Sequence, residues 1–234
     1  MWLEGPLQSW GADSRYGRRN TLPFPTRSGV MGIVCAALGA GGAQTTLLAE
    51  FASTDMQVLA LSRRALDGSM QTPPGLLQDF QMVGSGYDEQ DPWQNLLVPK
   101  TAEGKKPVGG GAKMTFRYYV QEMAFAVLLQ VPSSWVVPVA DALVAPVWDL
   151  SLGRKNCVPT EFIYQGTYAT VVEATCRVEQ LATEKGRVCT LIVRQGACDG
   201  GEVLTLNDVP LQFGTIKRYR DRQVTVIEPG SFFE

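Results

Sequence analysis

The first third of the chain alternates short apolar segments with one amphipathic helix pattern. Residues 2–8 (WLEGPLQ) predict a short strand that Gly5-Pro6 stops. From residue 28 onward, apolar side chains recur at helical spacing, which predicts a helix that begins at Thr26 or Ser28 and ends at the glycines of 39–42. Residues 58–63 alternate as a strand does, and residues 76–83 are a weaker strand candidate.

The remaining two thirds open with a segment that lacks periodicity. Residues 84–114 hold six glycines and three prolines, which predicts a flexible excursion without a core of its own. Residues 114–132 predict one long central strand, and residues 133–145 a second helix that Pro146 ends. From residue 162 the pattern favours strands, at 162–180, 187–195 and 216–227.

This order of elements indicates the α+β class. It is compatible with a βαββαβ, ferredoxin-like core that carries an insertion at 84–114 and a β-rich C-terminal part at 162–234. No internal repeat is visible, so we treat residues 1–234 as one domain.

Charge is segregated along the chain. The net charge is only −2, but four windows contain 15 of the 21 lysines and arginines, and among the 23 acids only Glu103 and Asp221. The windows are residues 15–27, 100–117, 154–155 and 217–222. Such clustering predicts a local basic surface for an anionic partner on a chain that is slightly acidic as a whole.

The composition also argues against several classes of function. The chain has no histidine, which removes the commonest general base and most zinc sites. Its five cysteines form no CxxC pair, which favours free thiols in a reducing compartment. We find no signal peptide, no apolar run long enough to span a bilayer and no phosphate-binding glycine loop, and we expect a cytoplasmic protein without a metal or cofactor.

The most basic stretch precedes the first predicted helix. Arg15, Arg18 and Arg19 lie beside Tyr16, and Arg27 and Ser28 lie at the helix start, where free N–H groups attract anions. Arginine forks suit phosphate oxygens, and aromatic rings stack on bases. The alternative is a solvated loop whose arginines pair with distant acids.

Two later stretches carry the same residue types. In a strand, Arg218, Arg220 and Arg222 share one face, so an anion there would relieve their mutual repulsion. The alternative is an edge strand that its charges protect from aggregation. Arg117 precedes two tyrosines, a combination used by sheet-based RNA binders and also by ordinary strands.

Five ordered blocks of the sequence resemble the CasD family, whose members hold the 5′ handle of the crRNA in the type I-E CRISPR Cascade complex. The N-terminal blocks are "LEGPLQSWG" (3–11) and "RYGRRNTLPFPTRSGVMGIVCAALG" (15–39). The later blocks are "FRYYVQEMAFAVLLQVP" (116–132), "PVWDLSLGRKNCVPT" (146–160) and "RYRDRQV" (218–224).

The resemblance implies a ferredoxin-like (RRM-like) RAMP core whose thumb-like insertion is the segment 84–114. It implies a non-catalytic subunit that caps the crRNA handle, contacts the backbone and large Cascade subunits, and meets target DNA only indirectly. By matching motif positions, the expected RNA contacts are Arg15, Tyr16, Arg18, Arg19, Arg27 and Ser28, with Lys113, Arg117, Arg154, Lys155, Arg218 and Arg220 as further candidates.

The sequence departs from the family pattern in two ways. The family usually has several more apolar strand residues before the first block, so we expect either a shortened first strand or a start upstream of Met1. Relatives in another CRISPR subtype cleave precursor RNA with a tyrosine, a lysine and a histidine, and this chain has no histidine. We therefore expect no enzymatic activity.

Two alternatives to a non-catalytic RNA-binding role remain at this point. One is a metal-independent endoribonuclease that uses Tyr16 with Lys113 or Lys155. The other is an adaptor that binds only proteins.

Overall fold

The computed structural model describes residues 1–11, 14, 17–65, 71–72, 74–84, 90, 93, 100–101, 103–105 and 112–229. Its strands are β1 (Trp2–Glu4), β2 (Leu7–Gln8), β3 (Trp10–Gly11), β4 (Arg18–Arg19), β5 (Thr21–Leu22), β6 (Met56–Arg63), β7 (Leu77–Val83), β8 (Lys113–Gln121), β9 (Ala124–Leu129), β10 (Arg187–Gln195), β11 (Glu202–Gln212) and β12 (Arg218–Ile227). Its helices are α1 (Arg27–Ala37), α2 (Thr45–Phe51), α3 (Val136–Val144) and α4 (Val171–Glu184), with a 3₁₀ turn at Ser133–Trp135.

Six antiparallel strands form the central sheet, in the order β1-β9-β6-β10-β12-β11. Beyond β1, two backbone hydrogen bonds attach the segment 160–163 to the sheet. Thr160 N–H donates to the Glu4 carbonyl and Trp2 N–H donates to the Ile163 carbonyl, both at 2.8 Å. A smaller sheet joins β2, β4 and β7 to β8.

Helices pack on both faces of the central sheet. The larger core joins one face, including Val58 and Phe125, to buried side chains of α1, α2 and α3. The smaller core joins the opposite face of β1, β6 and β9 to α4, whose contributions are Val178, Leu181 and Ala182. Alternating side chains along each strand supply the two cores in turn.

The first helix is confirmed in place and in its cap. Thr26 precedes α1, and its hydroxyl accepts a hydrogen bond from Gly29 N–H at 3.2 Å. The helix ends before Gly39, whose φ of +66° lies in the left-handed region that favours glycine. The predicted strands at 58–63 and 76–83 correspond to β6 and β7.

The prediction of one long strand over 114–132 is wrong. The chain breaks at Glu122, whose φ is +52°, and β8 and β9 belong to different sheets. Glu122 N–H donates to the Pro6 carbonyl at 3.2 Å, which fixes the turn against the N-terminal segment. A strand-like segment therefore changes sheet at Gln121-Glu122 without any glycine or proline to mark the turn.

The predicted strand at 162–180 is also wrong, because α4 occupies most of it. Thr170 caps the helix by accepting from Glu173 N–H at 3.2 Å, and the Glu173 carboxylate accepts from Ala169 N–H at 3.1 Å. The T-x-x-E spacing is a known helix-start signature, but its two middle residues are Val171 and Val172, which favour a strand. The C-terminal part thus begins with a helix, and its strands are β10, β11 and β12.

Most of the predicted insertion at 84–114 lies outside the described residues. The strands that flank it, β7 and β8, are described and pair along seven positions from Leu77↔Tyr119 to Val83↔Lys113. Within the part of the chain that the structure describes, no helix is both long and apolar enough to cross a membrane.

Candidate nucleic-acid interface

Strand β8 brings two distant basic stretches together. The two-residue strand β4 pairs with it in parallel, with Arg18 opposite Phe116 and Arg19 opposite Arg117. The Gly17 carbonyl accepts a hydrogen bond from Phe116 N–H at 2.8 Å. Arg18 and Arg19 of the basic stretch before α1 therefore lie along the strand that contains Lys113 and Arg117.

The two faces of this small sheet differ in chemistry. Residues opposite one another on paired strands share a face, so Arg19, Arg117 and Lys113 lie on one side, with Asp79 across from Arg117. The other side is largely exposed and carries the aromatic pair Phe80 and Phe116, with ring centroids 5.2 Å apart. Arg19, Arg117 and Lys113 thus lie on the side opposite to the aromatic pair Phe80 and Phe116.

Arg18 is held on the aromatic side by Tyr118. Its guanidinium lies 5.4 Å from the centre of the Tyr118 ring, and its Nη2 donates to the Tyr118 hydroxyl at 2.7 Å. The hydroxyl in turn donates to Gln78 Oε1 at 3.1 Å. These contacts orient an exposed arginine without neutralising its charge.

The loop at 151–157 contacts both strands. Arg154 lies 4.6 Å from the centre of the Tyr119 ring, and its guanidinium donates to the carbonyls of Tyr118 and Arg19 at 3.0 and 2.9 Å. Lys155, next to it, is exposed. The structure therefore brings together Arg18, Arg19, Lys113, Arg117 and Arg154 from three separate parts of the sequence.

None of these side chains forms an ion pair with a described carboxylate. The ion pairs among the described residues are Arg177–Glu184, Lys185–Glu161, Arg187–Glu4 and Arg222–Asp208. Among the described residues, the cations of β4 and β8 are therefore not paired with distant acids, as the alternative interpretation would require. Such an arrangement favours an external anion as their partner.

The start of α1 does not offer the predicted anion site. Asp208, 4% exposed, places its carboxylate at this helix terminus, where it accepts from Arg27 N–H at 2.7 Å. The same carboxylate accepts from Arg222 Nε and Nη2 at 2.7 and 2.9 Å. An internal carboxylate therefore occupies the position that we assigned to an external phosphate.

Arg27 is buried, which argues against its predicted role as an RNA contact. The residue is 1% exposed, and its guanidinium donates to Gln195 Oε1 at 3.0 Å, to Thr54 Oγ1 at 2.7 Å and to the Phe51 carbonyl. Burial, reinforced by the nearby Arg222 charge, lowers the pKa of Arg27 to about 10. Its contacts tie α1 to α2 and β10, and we assign it a structural role.

Other predicted contacts lie elsewhere or outside the described residues. Arg218 and Arg220 are exposed on β12, and Arg220 Nη2 donates to the Ala52 carbonyl at 3.0 Å. Ser28 is half-buried, with its hydroxyl 3.3 Å from that of Thr26. Arg15 and Tyr16 lie outside the described residues.

Sequence reasoning missed two features of this surface. It gave Tyr118 as part of a possible RNA-binding face or as an ordinary strand aromatic, and it did not predict that the ring and hydroxyl of Tyr118 orient Arg18, which is 100 residues away. It also missed Asp208, whose carboxylate fills the helix start 181 residues from its own position. No local pattern signals either contact, because both partners meet only through the sheet pairings.

We find no group of three or more metal-ligating side chains among the described residues. The interface is therefore described by its charges and rings alone.

Comparison with known proteins agrees with the resemblance found in the motifs. The curated CRISPR system Cascade subunit CasD of Escherichia coli (strain K12) is 27% identical over 173 residues, which cover 70% of this chain and 68% of the relative. A chain of a CRISPR RNA-guided surveillance complex matches with a TM-score of 0.71 and 28% identity, covering 97% of this chain and 88% of the other. A solved Cas protein at 23% identity, with a TM-score of 0.57 and coverage of 97% and 92%, shares the fold.

The family model of CRISPR-associated Cas5 proteins (Cas_Cas5d) matches residues 1–226, nearly the whole chain. The chain therefore belongs to the Cas5 family of CRISPR-associated proteins.

Proposed function

We propose that this chain is a non-catalytic, RNA-binding subunit of a Cascade-type CRISPR interference complex, and that it holds and caps the 5′ handle of the crRNA. Its protein partners are the backbone subunit and the large subunit, and target DNA is reached only indirectly. Family membership and the similarity to a Cascade subunit and to a surveillance-complex chain support this role.

One observation carries the proposal. Arg19, Lys113 and Arg117 form a basic row on one face of two paired strands, and Arg18 lies on the other face. None of the four forms an ion pair with a described carboxylate. A row of unpaired cations gains most from a polyanion, since each phosphate contact releases a condensed counterion. Arg15 and Tyr16, which precede β4 in the sequence and lie outside the described residues, remain proposed RNA contacts.

The remaining predicted contacts lie outside the basic row, and we propose them as further RNA contacts. Lys155 is exposed beside the row, and Arg218 and Arg220 are exposed on β12. Ser28 remains a candidate RNA contact because it is only half-buried. Arg27 is left out because its guanidinium is buried and hydrogen bonded.

We further propose that the fold is a ferredoxin-like RAMP core with a thumb. The order β1-β9-β6, with α1 between β1 and β6, matches three strands of that topology. The segment 160–163 follows α3 and bonds the outer side of β1, where the fourth strand belongs. The insertion between β7 and β8 is the proposed thumb.

A salt titration tests the RNA role. Replacing Arg15, Arg18 and Arg19 with Ala should weaken binding of a labelled CRISPR-repeat RNA by roughly a hundredfold at low salt. The slope of log K against log salt should fall by about 2, since each single-strand phosphate contact contributes about 0.7.

The matched control replaces two arginines on other elements, Arg177 on α4 and the exposed Arg194 on β10, with Ala. This variant should keep both the affinity and the slope. Equal losses in the two variants, or no loss in the first, would contradict the proposal.

A further inference from the structure

The side chain of Arg154 contacts the chain's own backbone at each of its described hydrogen bonds. Its two terminal nitrogens donate to the Tyr118 carbonyl at 3.0 Å and to the Arg19 carbonyl at 2.9 Å. One carbonyl belongs to β8 and the other to β4, so a single guanidinium spans the junction of these strands. Two of its five N–H donors are thus used inside the chain, and the two carbonyls fix the orientation of the guanidinium.

The loop that carries Arg154 is rigidly seated. Ser9 N–H donates to the Leu152 carbonyl at 3.0 Å, and Leu152 N–H donates to the Cys157 carbonyl at 2.8 Å. Leu152 and Cys157 are fully buried. Gly153 has a φ of +95°, and a Cβ there would lie 1.7 Å from the Ser9 carbonyl oxygen, so only glycine fits.

The aromatic ring beneath Arg154 is equally fixed. Tyr119 is 1% exposed, and its hydroxyl accepts a hydrogen bond from Asn156 Nδ2 at 3.2 Å. The Arg154 guanidinium stacks on this ring. The stacking orients the plane of the guanidinium so that its two terminal nitrogens reach the Tyr118 and Arg19 carbonyls. The loop at 151–157, the Tyr119 ring and the Arg154 guanidinium thus form one preorganised unit, which we call the clamp.

Strand β4, whose Arg19 carbonyl accepts the bond from Arg154, is short. β4 has two residues and pairs only with β8 among the described strands. A strand this short is marginal unless other contacts hold it. The bond from Arg154 to the Arg19 carbonyl therefore adds to the pairing with β8 and to the Arg18–Tyr118 contact as one of the described contacts that fix β4.

We propose that Arg154 is a positioning residue that clamps β4 onto β8 and so orders Arg18 and Arg19, and that it is not itself an RNA contact. The clamp is a property of the free protein. Its consequence for RNA rests on the proposed function.

The test replaces Arg154 with Lys, which keeps the charge and loses the planar fork. Trypsin cleaves after arginine, so limited proteolysis of the free full-length chain reports directly on β4. We expect cleavage after Arg18 and Arg19 to become roughly five- to tenfold faster, because β4 opens more often. The control Lys155→Gln, which removes a charge and leaves the fork, should cleave at the parent rate.

Binding of a labelled CRISPR-repeat RNA separates this inference from the proposed function. Arg154→Lys should lower the salt slope although the formal charge is unchanged, and should add little to a variant that already lacks Arg18 and Arg19. A direct phosphate contact would instead be largely preserved by Lys and would add to that variant.

Each outcome decides one of the two proposals. Unchanged cleavage after Arg18 and Arg19 overturns the clamp, whatever the RNA result. Cleavage that rises over the whole chain also overturns it, because Arg154 would then hold the domain rather than β4. Faster local cleavage with unchanged RNA binding supports the clamp and contradicts the proposed role of Arg18 and Arg19.

Discussion

At the scale of single residues, the groups that surround each arginine in the folded chain decide whether it faces inward. The buried carboxylate of Asp208 neutralises Arg222 and fills the start of α1. The guanidinium of Arg27 is buried and hydrogen bonded to Gln195, Thr54 and the Phe51 carbonyl. Arg18 and Arg19 of β4 form no ion pair with a described carboxylate and stay exposed.

Replacing Asp208 with Asn tests this network. The change leaves Arg222 buried without a carboxylate and weakens the bond at the start of α1, and we expect the free energy of unfolding to fall by about 3 kcal/mol. Urea denaturation measures the loss. The control Asp221→Asn, at an exposed residue of β12, should change it by less than about 0.5 kcal/mol. Equal stabilities of the two variants would contradict the assignment.

At the scale of elements, caps, turns and packing decide where a helix or strand begins and ends, even where the pattern of apolar residues favours another structure. The valines of α4 favour a strand by propensity, and the Thr170 cap together with packing against β1, β6 and β9 makes a helix. The turn at Glu122 divides a strand-like run between two sheets. Tertiary contacts overrode local preference in both places.

The cap of α4 can be tested by replacing Thr170 with Ala. Loss of the hydrogen bond to Glu173 N–H should lower the free energy of unfolding by about 1 kcal/mol. Thermal or urea unfolding of Thr183→Ala, an exposed position near the end of the same helix, should show no loss, because Ala has the higher helix propensity. A cap variant as stable as its parent would show that packing alone holds α4.

At the scale of the whole molecule, the central sheet is covered on both sides where β1, β6 and β9 lie, by α1–α3 on one face and α4 on the other. Single-stranded RNA often binds an open sheet face, and here that face is occupied. The small sheet of β4, β7 and β8 keeps its polar and aromatic side chains exposed, which is why we assign RNA to it.

Ultraviolet crosslinking of a CRISPR-repeat RNA, followed by peptide mapping, tests this assignment. We expect crosslinks in β4, in β8 and at Lys155. Peptides of α4 and β6 serve as the internal control and should carry none, because they cover or form the closed part of the sheet. Crosslinks concentrated on α4 would contradict this assignment and would indicate that the RNA binds the side of the molecule that α4 covers.

The sequence by itself determined the local features that depend on neighbouring residues. The Thr26 cap, the extent of α1, the strands β6, β7, β10 and β12, and the segregation of charge could all be predicted, because spacing and capping act over a few residues. The motif blocks also indicated the family that the whole chain matches.

Only the tertiary structure decided which of the basic residues meet. Strand pairing and the loop at 151–157 bring the elements of Arg18, Arg117 and Arg154 together. The Arg27 guanidinium is buried among Gln195, Thr54 and the Phe51 carbonyl, which belong to other parts of the chain. Pairing register and burial depend on the summed packing of distant elements, and no short window of residues encodes that sum.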